Sequence, residues 1–205
     1  FEESRNRYFQ ALVLAKQIGN AKKQMEILRE IWSIGNSTGD MKLVRSTSAS
    51  MDSLINVTED ADLRFSYFCQ KGDEAKSKGQ FLLAEKWYIK GKELAEKGLT
   101  QDKSSKHIAY TKLRGLYITT KQYDEAIQYD RRVIENYQKQ LTSDDEMYYF
   151  PYCTQADIYR MKGDRNNCFA CIDSLFLGVD KVKEPRELCV MYLTRARCHN
   201  AFKEY

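Results

Sequence analysis

Residues 79–84 read Gly-Gln-Phe-Leu-Leu-Ala, and Tyr88 and Gly91 follow within the next two helical turns. A glycine at such a point ends one helix, because glycine readily adopts the left-handed backbone conformation that a helix C-terminus favours. Four positions into the next helix, the small side chain of Ala84 lets two helices approach closely, and Tyr88 fills the space one turn later. This stretch predicts a turn that joins two tightly packed helices.

The same pattern returns along the chain at a nearly constant interval. Comparable segments begin at Gly39, Lys121 and Gly163. The residues two positions after the four turns are separated by 40, 42 and 42 residues, and a further interval of 40 in each direction reaches both ends of the chain. Self-similarity at such a period is the signature of a repeat array, so residues 1–205 are predicted to form one repeat domain. The repeat markers are Phe1, Met41, Phe81, Tyr123, Arg165 and Tyr205.

The composition supports a helical array. Only 2 Pro and 10 Gly occur in 205 residues, a balance that favours helices over a β-sandwich with its frequent turns. Phe1 would open in the second helix of a hairpin, and no polar capping helix is readable near Tyr205, so we expect the chain to be part of a longer protein. Helices are predicted at 1–19, 21–38, 41–57, 60–78, 81–98, 104–120, 123–140, 145–162, 165–177 and 185–203.

Large and small residues alternate on the first helix of each predicted hairpin, for instance at Tyr152, Ala156 and Tyr159. The pattern resembles the tetratricopeptide repeat (TPR) over the whole chain. It looks like the long-period, kinesin-light-chain type, since the interval of 40–42 residues exceeds the commoner period of about 34. The resemblance implies an all-α fold: a right-handed α-solenoid of antiparallel helical hairpins, a TPR-like superhelix of about ten helices.

Three residues depart from the pattern of that family. Trp32 and Arg114 stand where Gly or Ala is usual, and Asp130 stands where an aromatic residue is usual. These departures leave the angles between the helices of their hairpins open. They do not change the predicted fold, because the phase of the repeats is the same on both sides of each departure.

The resemblance also implies a binding surface, because the first helices of TPR hairpins line the concave side of the solenoid. Mapped onto this chain, the groove is polar with charges of both signs and a few apolar positions. Such a groove suits an extended peptide or a helix of a partner protein. The alternative is that these residues are a solvated face. The predicted partner-binding residues are Arg29, Ser33, Asn36, Gln70, Asp73, Lys76, Ile108, Thr111, Lys112, Ile118, Phe150, Asp157, Arg160, Arg197 and Asn200.

The sequence does not favour catalysis or metal binding. Cys168 and Cys171, with Cys198 and His199 downstream, could supply a Cys₃His zinc site. However, Cys168 occupies the small-residue position of the repeat and His199 occupies an aromatic position, so packing explains both better. No glycine-rich phosphate loop occurs, and no catalytic residue can be named. We therefore expect no metal, no cofactor and no enzymatic activity.

Charge and hydropathy exclude two further classes of partner. The 33 Lys and Arg residues and 29 Asp and Glu residues give a net charge of +4, and they are interleaved rather than gathered on one face, which disfavours nucleic acid. No apolar run approaches the roughly 18 residues of a membrane span, so we expect no membrane insertion. The cysteines are typical of small buried hydrophobic residues, which favours the cytoplasm; a periplasmic location is the alternative if an N-terminal signal has been removed.

The resemblance leaves three functions open. The first is a protein- or peptide-binding scaffold, as the repeat region of a larger bacterial regulatory or signalling protein. The second is a targeting or autoinhibitory module of an enzyme, such as a histidine kinase or a caspase-like peptidase, whose catalytic domain lies outside this chain. The third is a small-molecule sensor domain. Sequence outside this chain would discriminate the first two, and a ligand screen would test the third.

Overall fold

A computed structural model describes residues 2–140, 150–177, 179 and 182–203, apart from the side chains of residues 2, 4, 137–140, 150 and 151. Within these ranges the chain forms ten α-helices and no strand. The all-α prediction is therefore confirmed. The helices are α1 (Glu2–Gln17), α2 (Ala21–Thr38), α3 (Met41–Leu54), α4 (Ala61–Ser77), α5 (Phe81–Glu96), α6 (Ser105–Thr119), α7 (Tyr123–Gln140), α8 (Phe150–Lys162), α9 (Arg165–Phe176) and α10 (Pro185–Ala201).

Four of the predicted repeat markers are helix starts. Met41, Phe81, Tyr123 and Arg165 are the first residues of α3, α5, α7 and α9. The markers Phe1 and Tyr205 lie outside the described residues, as does the predicted start of α8 at 145–149. Helix α3 ends three residues earlier than predicted, because the chain turns there to reach the cap of α4.

The helix ends are built from turn and cap residues that recur with the repeat. Before α3, α5, α7 and α9, the residue just ahead of the helix donates its backbone N–H to the carbonyl five positions earlier, at 2.8–2.9 Å. The residue before that donor has a positive φ: Gly39, Gly79, Lys121 and Gly163. This is the Schellman arrangement, which satisfies carbonyls that a helix end leaves free. Lys121 adopts φ 59° where the other three turns have glycine.

Acidic and amide side chains close the opposite ends of several helices. Asp40 accepts a hydrogen bond from the backbone N–H of Leu43, Asp60 from that of Leu63, and Asn20 from that of Lys23, each at 3.0 Å. An N-cap of this kind satisfies one of the four free N–H groups of a helix start and contributes about 1 kcal/mol. The turns before α3 and α9 are thus fixed from both sides, because Asp40 and Asp164 cap the helices that follow them.

Small residues at the helix crossings allow close packing within the hairpins. Ala84, Ala126 and Cys168 are completely buried, and so is Ala156 of α8. Among the glycines of the described residues, the closest approach is in the α4–α5 hairpin, where a Cβ built on Gly72 would lie 2.3 Å from the ring of Tyr88. The predicted small-residue positions are therefore genuine close contacts.

The hydrophobic core runs along the array rather than forming one centre. One cluster joins α1 to α4 and includes Leu28, Ile31 and Met51. A larger one extends from α4 to α10. Trp87 packs against both clusters, which makes the core continuous along the repeat axis. Helical hairpins that cannot bury their apolar faces alone acquire a core in this way.

The departures from the family pattern are accommodated inside their hairpins. Arg114 Nη1 donates to Asp130 Oδ1 at 2.6 Å, and Asp130 is completely buried. Burial raises the pKa of Asp130 to about 6, although the neighbouring Arg114 guanidinium acts in the opposite direction. Trp32 is half-buried and packs against the first core cluster. The unusual Arg and Asp therefore compensate each other across the α6–α7 hairpin.

Candidate partner-binding groove

The even-numbered helices lie side by side along one face of the array. Helix α2 contacts α4, α4 contacts α6, and α8 contacts α10, whereas the odd-numbered helices approach one another less closely. These contacts place the even-numbered helices on a common face of the array. We call this face the groove.

A cavity of about 320 Å³ opens in the groove between α2, α4 and α6. We call it the groove cavity. Five predicted binding residues lie on its wall: Arg29, Ser33, Gln70, Asp73 and Ile108. The wall is completed by Glu30, Trp32, Phe65, Ser66 and Cys69. Residues of three successive hairpins therefore share one cavity wall, and their role in partner binding stays a prediction.

Gln70 is the most unusual polar group of this cavity. The residue is only 7% exposed, and its side-chain amide makes no hydrogen bond within the described part of the chain. Neither amide atom is one of the fully buried polar atoms without a partner, so the amide remains accessible from the cavity. A ligand in the cavity could therefore exchange a donor and an acceptor with Gln70.

The predicted charges next to the groove cavity are already engaged between hairpins. Asp73 accepts a hydrogen bond from Lys112 Nζ at 2.5 Å and another from the Tyr88 hydroxyl at 2.7 Å. Lys76 Nζ donates to the carbonyl of Gly115 at 3.2 Å. These contacts join α4 to residues 39 positions further along, one repeat away. Asp73, Lys76 and Lys112 therefore have a structural role at the edge of the groove.

The far end of the groove has a similar arrangement. Asp157 accepts from Arg160 at 2.9 Å on the same helix and lies 3.6 Å from Arg197 of α10. Asn200 is exposed further along α10. The side chain of Phe150 lies outside the described residues. This end consequently presents a charged surface, in contrast to the mixed wall of the groove cavity.

The remaining predicted residues lie outside the groove cavity. Asn36 is exposed on α2. Thr111 and Ile118 are half-buried on α6, and Ile118 packs against the larger core cluster. Ile118 therefore contributes to packing as well as to the groove surface.

Five residues of the cavity wall are absent from the predicted binding residues: Glu30, Trp32, Phe65, Ser66 and Cys69. Trp32 departs from the repeat pattern at a position next to the groove. This departure is the signal from which its place in the cavity wall could have been predicted. Its indole Nε1 is buried without a hydrogen-bond partner among the described residues. Phe65 and Ile108 supply the apolar part of the wall.

The cysteines considered for a zinc site lie in the packed core between α8, α9 and α10. Cys168 Sγ and Cys198 Sγ are 2.9 Å apart, and the thiol of Cys171 donates to the Gln155 side chain. His199 packs edge-on against Phe169. Burial raises the pKa of the Cys171 thiol to about 12, which opposes formation of the thiolate. In the described ranges, no group of three or more metal-ligating side chains converges.

Similar proteins were found by comparing structures and not by comparing sequences. No protein-family model and no curated protein matches the sequence. None of the described helices has the length and apolar character needed to cross a membrane. The crystal structure of BtubC (BKLC) from P. vanneervenii is similar over 99% of this chain and 84% of that one, with a TM-score of 0.76 and 11% identity.

A second similar structure comes from Podosopora anserina, a protein assigned as a kinesin light chain with nearly identical TPR-like repeats. The similarity covers 97% of this chain and 87% of that one, with a TM-score of 0.61 and 14% identity. Its Q17M form gives the same TM-score over 97% of this chain and 86% of that one, at 15% identity. Identities this low establish the fold and not the function. The chain has the fold of the TPR-like, kinesin-light-chain-like solenoids.

Proposed function

We propose that this chain is a protein- or peptide-binding scaffold whose partner lies along the groove. The observation that carries this proposal is the groove cavity, where residues of three successive hairpins surround the side-chain amide of Gln70, which hydrogen-bonds no described residue. A peptide backbone offers both a donor and an acceptor at every residue, so it matches the two halves of a side-chain amide. An apolar side chain of the same peptide would pack on Phe65 and Ile108.

Charged side chains in the groove are paired with one another, which favours a partner that is held by short-range contacts rather than by long-range attraction. Asp73 and Lys112 neutralise each other, and Arg29 lies 3.3 Å from Glu30. Engaged pairs such as these give little long-range attraction for a strongly charged partner. The interleaved charges likewise favour protein over nucleic acid. Hydrogen bonds and apolar contacts should therefore supply most of the affinity.

We place this scaffold in the cytoplasm, as the repeat region of a larger bacterial regulatory or signalling protein without enzymatic activity of its own. A targeting or autoinhibitory module of an enzyme would use the same groove. The two differ in what adjoins the chain, so the flanking gene sequence distinguishes them. The groove argument is common to both.

The test begins with a peptide selected from a random display library on the immobilised chain. Its affinity is then measured by fluorescence anisotropy for Gln70→Met, which keeps the size of the side chain and removes the amide. Loss of one neutral hydrogen bond should cost about 0.5–1.5 kcal/mol, and Arg29→Gln should cost up to about 3 kcal/mol if the guanidinium contacts the peptide. The matched control is Arg45→Gln, an exposed arginine of α3 outside the groove.

Equal losses from Arg29→Gln and Arg45→Gln, with Gln70→Met unchanged, would place the peptide elsewhere. Arg45 is a better control than Lys90 or Arg132 on the other odd-numbered helices. Lys90 Nζ lies 4.4 Å from the centre of the Trp87 ring, and Arg132 donates to Glu96. Circular dichroism of each variant verifies that the helices are intact.

A further inference from the structure

A second cavity lies on the face of α4 that points away from the groove. Its volume is about 290 Å³, and it opens between the α3–α4 turn, the first half of α4 and the middle of α5. It shares no residue with the groove cavity. We call it the turn cavity. It is lined by Ile55, Asn56, Thr58, Arg64, Tyr67, Phe68, Trp87 and Lys90.

The turn cavity has two cations and no carboxylate in its wall. Neither Arg64 nor Lys90 forms an ion pair with any described residue. Lys90 Nζ lies 4.4 Å from the ring centre of Trp87 and 5.8 Å from that of Phe68, so its ammonium group is held over the aromatic wall. Two unpaired positive charges facing one small space favour an anion there.

Thr58 adds a hydrogen-bond donor to the wall of the cavity. The residue is 7% exposed, and no hydrogen bond joins its hydroxyl to a described residue. The hydroxyl is not one of the polar atoms sealed from water, so it is accessible from the cavity, as is the exposed side-chain amide of Asn56. The hydroxyl can donate to an oxyanion inside the cavity.

The opposite wall is apolar and flat. Phe68 and Trp87 are stacked, with ring centres 5.8 Å apart and an angle of 23° between the rings, and Tyr67 meets Trp87 edge-on. Ile55 adds an aliphatic surface. Such a wall contributes little to the binding of a bare inorganic ion, but it can bury the carbon skeleton of an organic one.

We propose that the turn cavity binds a small organic anion. Its carboxylate or phosphate group lies between Arg64 and Lys90 and accepts a hydrogen bond from Thr58, while its apolar part packs on Trp87 and Ile55. The cavity volume is at the lower end of the range for small-molecule sites, about 300–1,000 Å³, which limits the ligand to one ring or a short chain. This site is independent of the groove and of any peptide bound there.

The fluorescence of Trp87 gives a direct readout. The chain contains 2 tryptophans, so Trp32→Phe leaves Trp87 as the only one. In that background, phenyl phosphate, benzoate, inorganic phosphate and benzyl alcohol are titrated separately. We expect phenyl phosphate or benzoate to give a saturable change, with binding at least about tenfold tighter than that of inorganic phosphate or benzyl alcohol. The preferred probe identifies the anionic group.

Three variants then locate the site. Arg64→Gln and Lys90→Gln should each weaken the preferred probe by about tenfold or more. Lys86→Gln, an exposed lysine of the same helix α5 outside the cavity wall, is the charge-matched control and should have no effect. Thr58→Val should weaken binding while leaving the melting temperature of the free chain nearly unchanged, because the hydroxyl that it removes hydrogen-bonds no described residue. Gln70→Met should not change binding of the probe.

Several results would overturn the proposal. One is the absence of saturable binding of both organic anions at up to about 10 mM, a range in which fragments of this size bind to formed sites. Another is an equal loss of affinity in Lys86→Gln, which would indicate nonspecific attraction by surface charge. Equal affinity for inorganic phosphate and phenyl phosphate would show that the aromatic wall does not contribute to binding. A lower melting temperature of Thr58→Val would show that the hydroxyl has a partner within the chain.

Discussion

The α4–α5 and α6–α7 hairpins place different side chains at the same two positions. Gly72 faces Tyr88 in the first hairpin, and Arg114 faces Asp130 in the second, each 42 residues further along. The first pair combines the smallest residue with a large ring, and the second is a buried ion pair. The comparison shows that a helix crossing of this repeat requires two side chains that fit each other, and that apolar and ionic pairs both meet that requirement.

The two solutions differ in what happens when one partner is lost. Tyr88 is held by packing and by a hydrogen bond from its hydroxyl to Asp73. Arg114, with its side chain only 12% exposed, depends on Asp130 for its charge partner. Removing one half of a buried ion pair leaves an uncompensated charge, which is costlier than the loss of packing around a neutral ring. The ionic hairpin should therefore be the more sensitive of the two.

The largest effect is expected for Asp130→Ala. It leaves the Arg114 guanidinium buried without its partner, and the free energy of unfolding should fall by about 3–5 kcal/mol in urea denaturation. The double variant Arg114→Gly with Asp130→Phe transplants the pairing of the α4–α5 hairpin and should recover most of this loss. Phe is chosen because Gly115 has no side chain to accept a hydrogen bond from a tyrosine. A double variant as unstable as Asp130→Ala would mean that the two crossings are not interchangeable.

The next prediction concerns how the free energy of unfolding depends on pH. Burial raises the pKa of Asp130, whereas the ion pair with Arg114 lowers it. The pKa of Asp130 is raised to about 6 in the folded chain, against about 3.9 in an unfolded one. Between these values the folded chain holds a proton that the unfolded chain has released, so this group stabilises the fold below about pH 4, and that contribution is lost as the pH rises through 6. Urea denaturation at pH 4 and pH 7 compares the natural chain with Asp130→Asn.

The natural chain should lose about 2–3 kcal/mol relative to Asp130→Asn between those pH values, at about 1.4 kcal/mol for each pKa unit. The comparison with Asn cancels the titration of the other carboxylates, which both chains share. A relative gain by the natural chain as the pH rises would show that attraction by Arg114 outweighs burial. In that case the α6–α7 crossing is held together by its charges rather than in spite of their desolvation.

A smaller effect is expected on the apolar side of the comparison. In Gly72→Ala the new methyl group would lie 2.3 Å from the Tyr88 ring, so the ring or the helix must shift. Overpacking of this kind costs about 1–3 kcal/mol. Adding Tyr88→Leu gives a double-mutant cycle, in which the methyl group should cost much less once the ring is gone. If Gly72→Ala costs the same in the Tyr88→Leu background as in the natural chain, the close contact is not the reason for the glycine.

The sequence predicted the parts of this structure that depend on local signals. Met41, Phe81, Tyr123 and Arg165 are helix starts because a turn residue precedes each of them, and that signal is readable within six residues. The phase of those starts also led to predicted binding residues on α2, α4 and α6, and five of these line the groove cavity, although their role in binding stays a prediction. Local turn chemistry and a constant period were sufficient for both.

The sequence did not predict which side chains contact each other between repeats. Asp73 and Lys112 are 39 residues apart, and nothing local indicates that they pair with each other and are not free to bind a partner. The compensation of Arg114 by Asp130 required knowing that two anomalies face each other. The turn cavity depends on how the chain runs from Ile55 to Asp60, because that path sets the distance between Thr58 and α5. Such features follow from the relative placement of helices, which a period alone does not specify.

The smallest predicted effect concerns the turn between α6 and α7, the two helices that the Arg114–Asp130 ion pair joins. Lys121 adopts φ 59° where the corresponding turn of the α4–α5 hairpin has Gly79 at φ 71°. The left-handed conformation costs a residue with a Cβ about 1–2 kcal/mol, whereas glycine adopts it freely. Glycine also makes the unfolded chain more flexible, which offsets about 0.4–1 kcal/mol of the gain. Lys121→Gly should therefore stabilise the chain by roughly 0.5–1 kcal/mol, a rise in melting temperature of about 1–4 °C.

Lys121→Ala is the control, because it removes the exposed side chain but keeps the Cβ and its strain. It should leave the stability of the natural chain unchanged. The backbone hydrogen bond from Gln122 to the carbonyl of Tyr117, 2.9 Å long, should persist in both variants and can be followed by hydrogen exchange of the Gln122 amide. A gain in Lys121→Ala equal to that in Lys121→Gly would assign the effect to the lysine side chain. Stabilisation by glycine alone would mean that the α6–α7 hairpin carries strain in its turn as well as a buried charge at its crossing, two costs that the α4–α5 hairpin avoids with glycine at both positions.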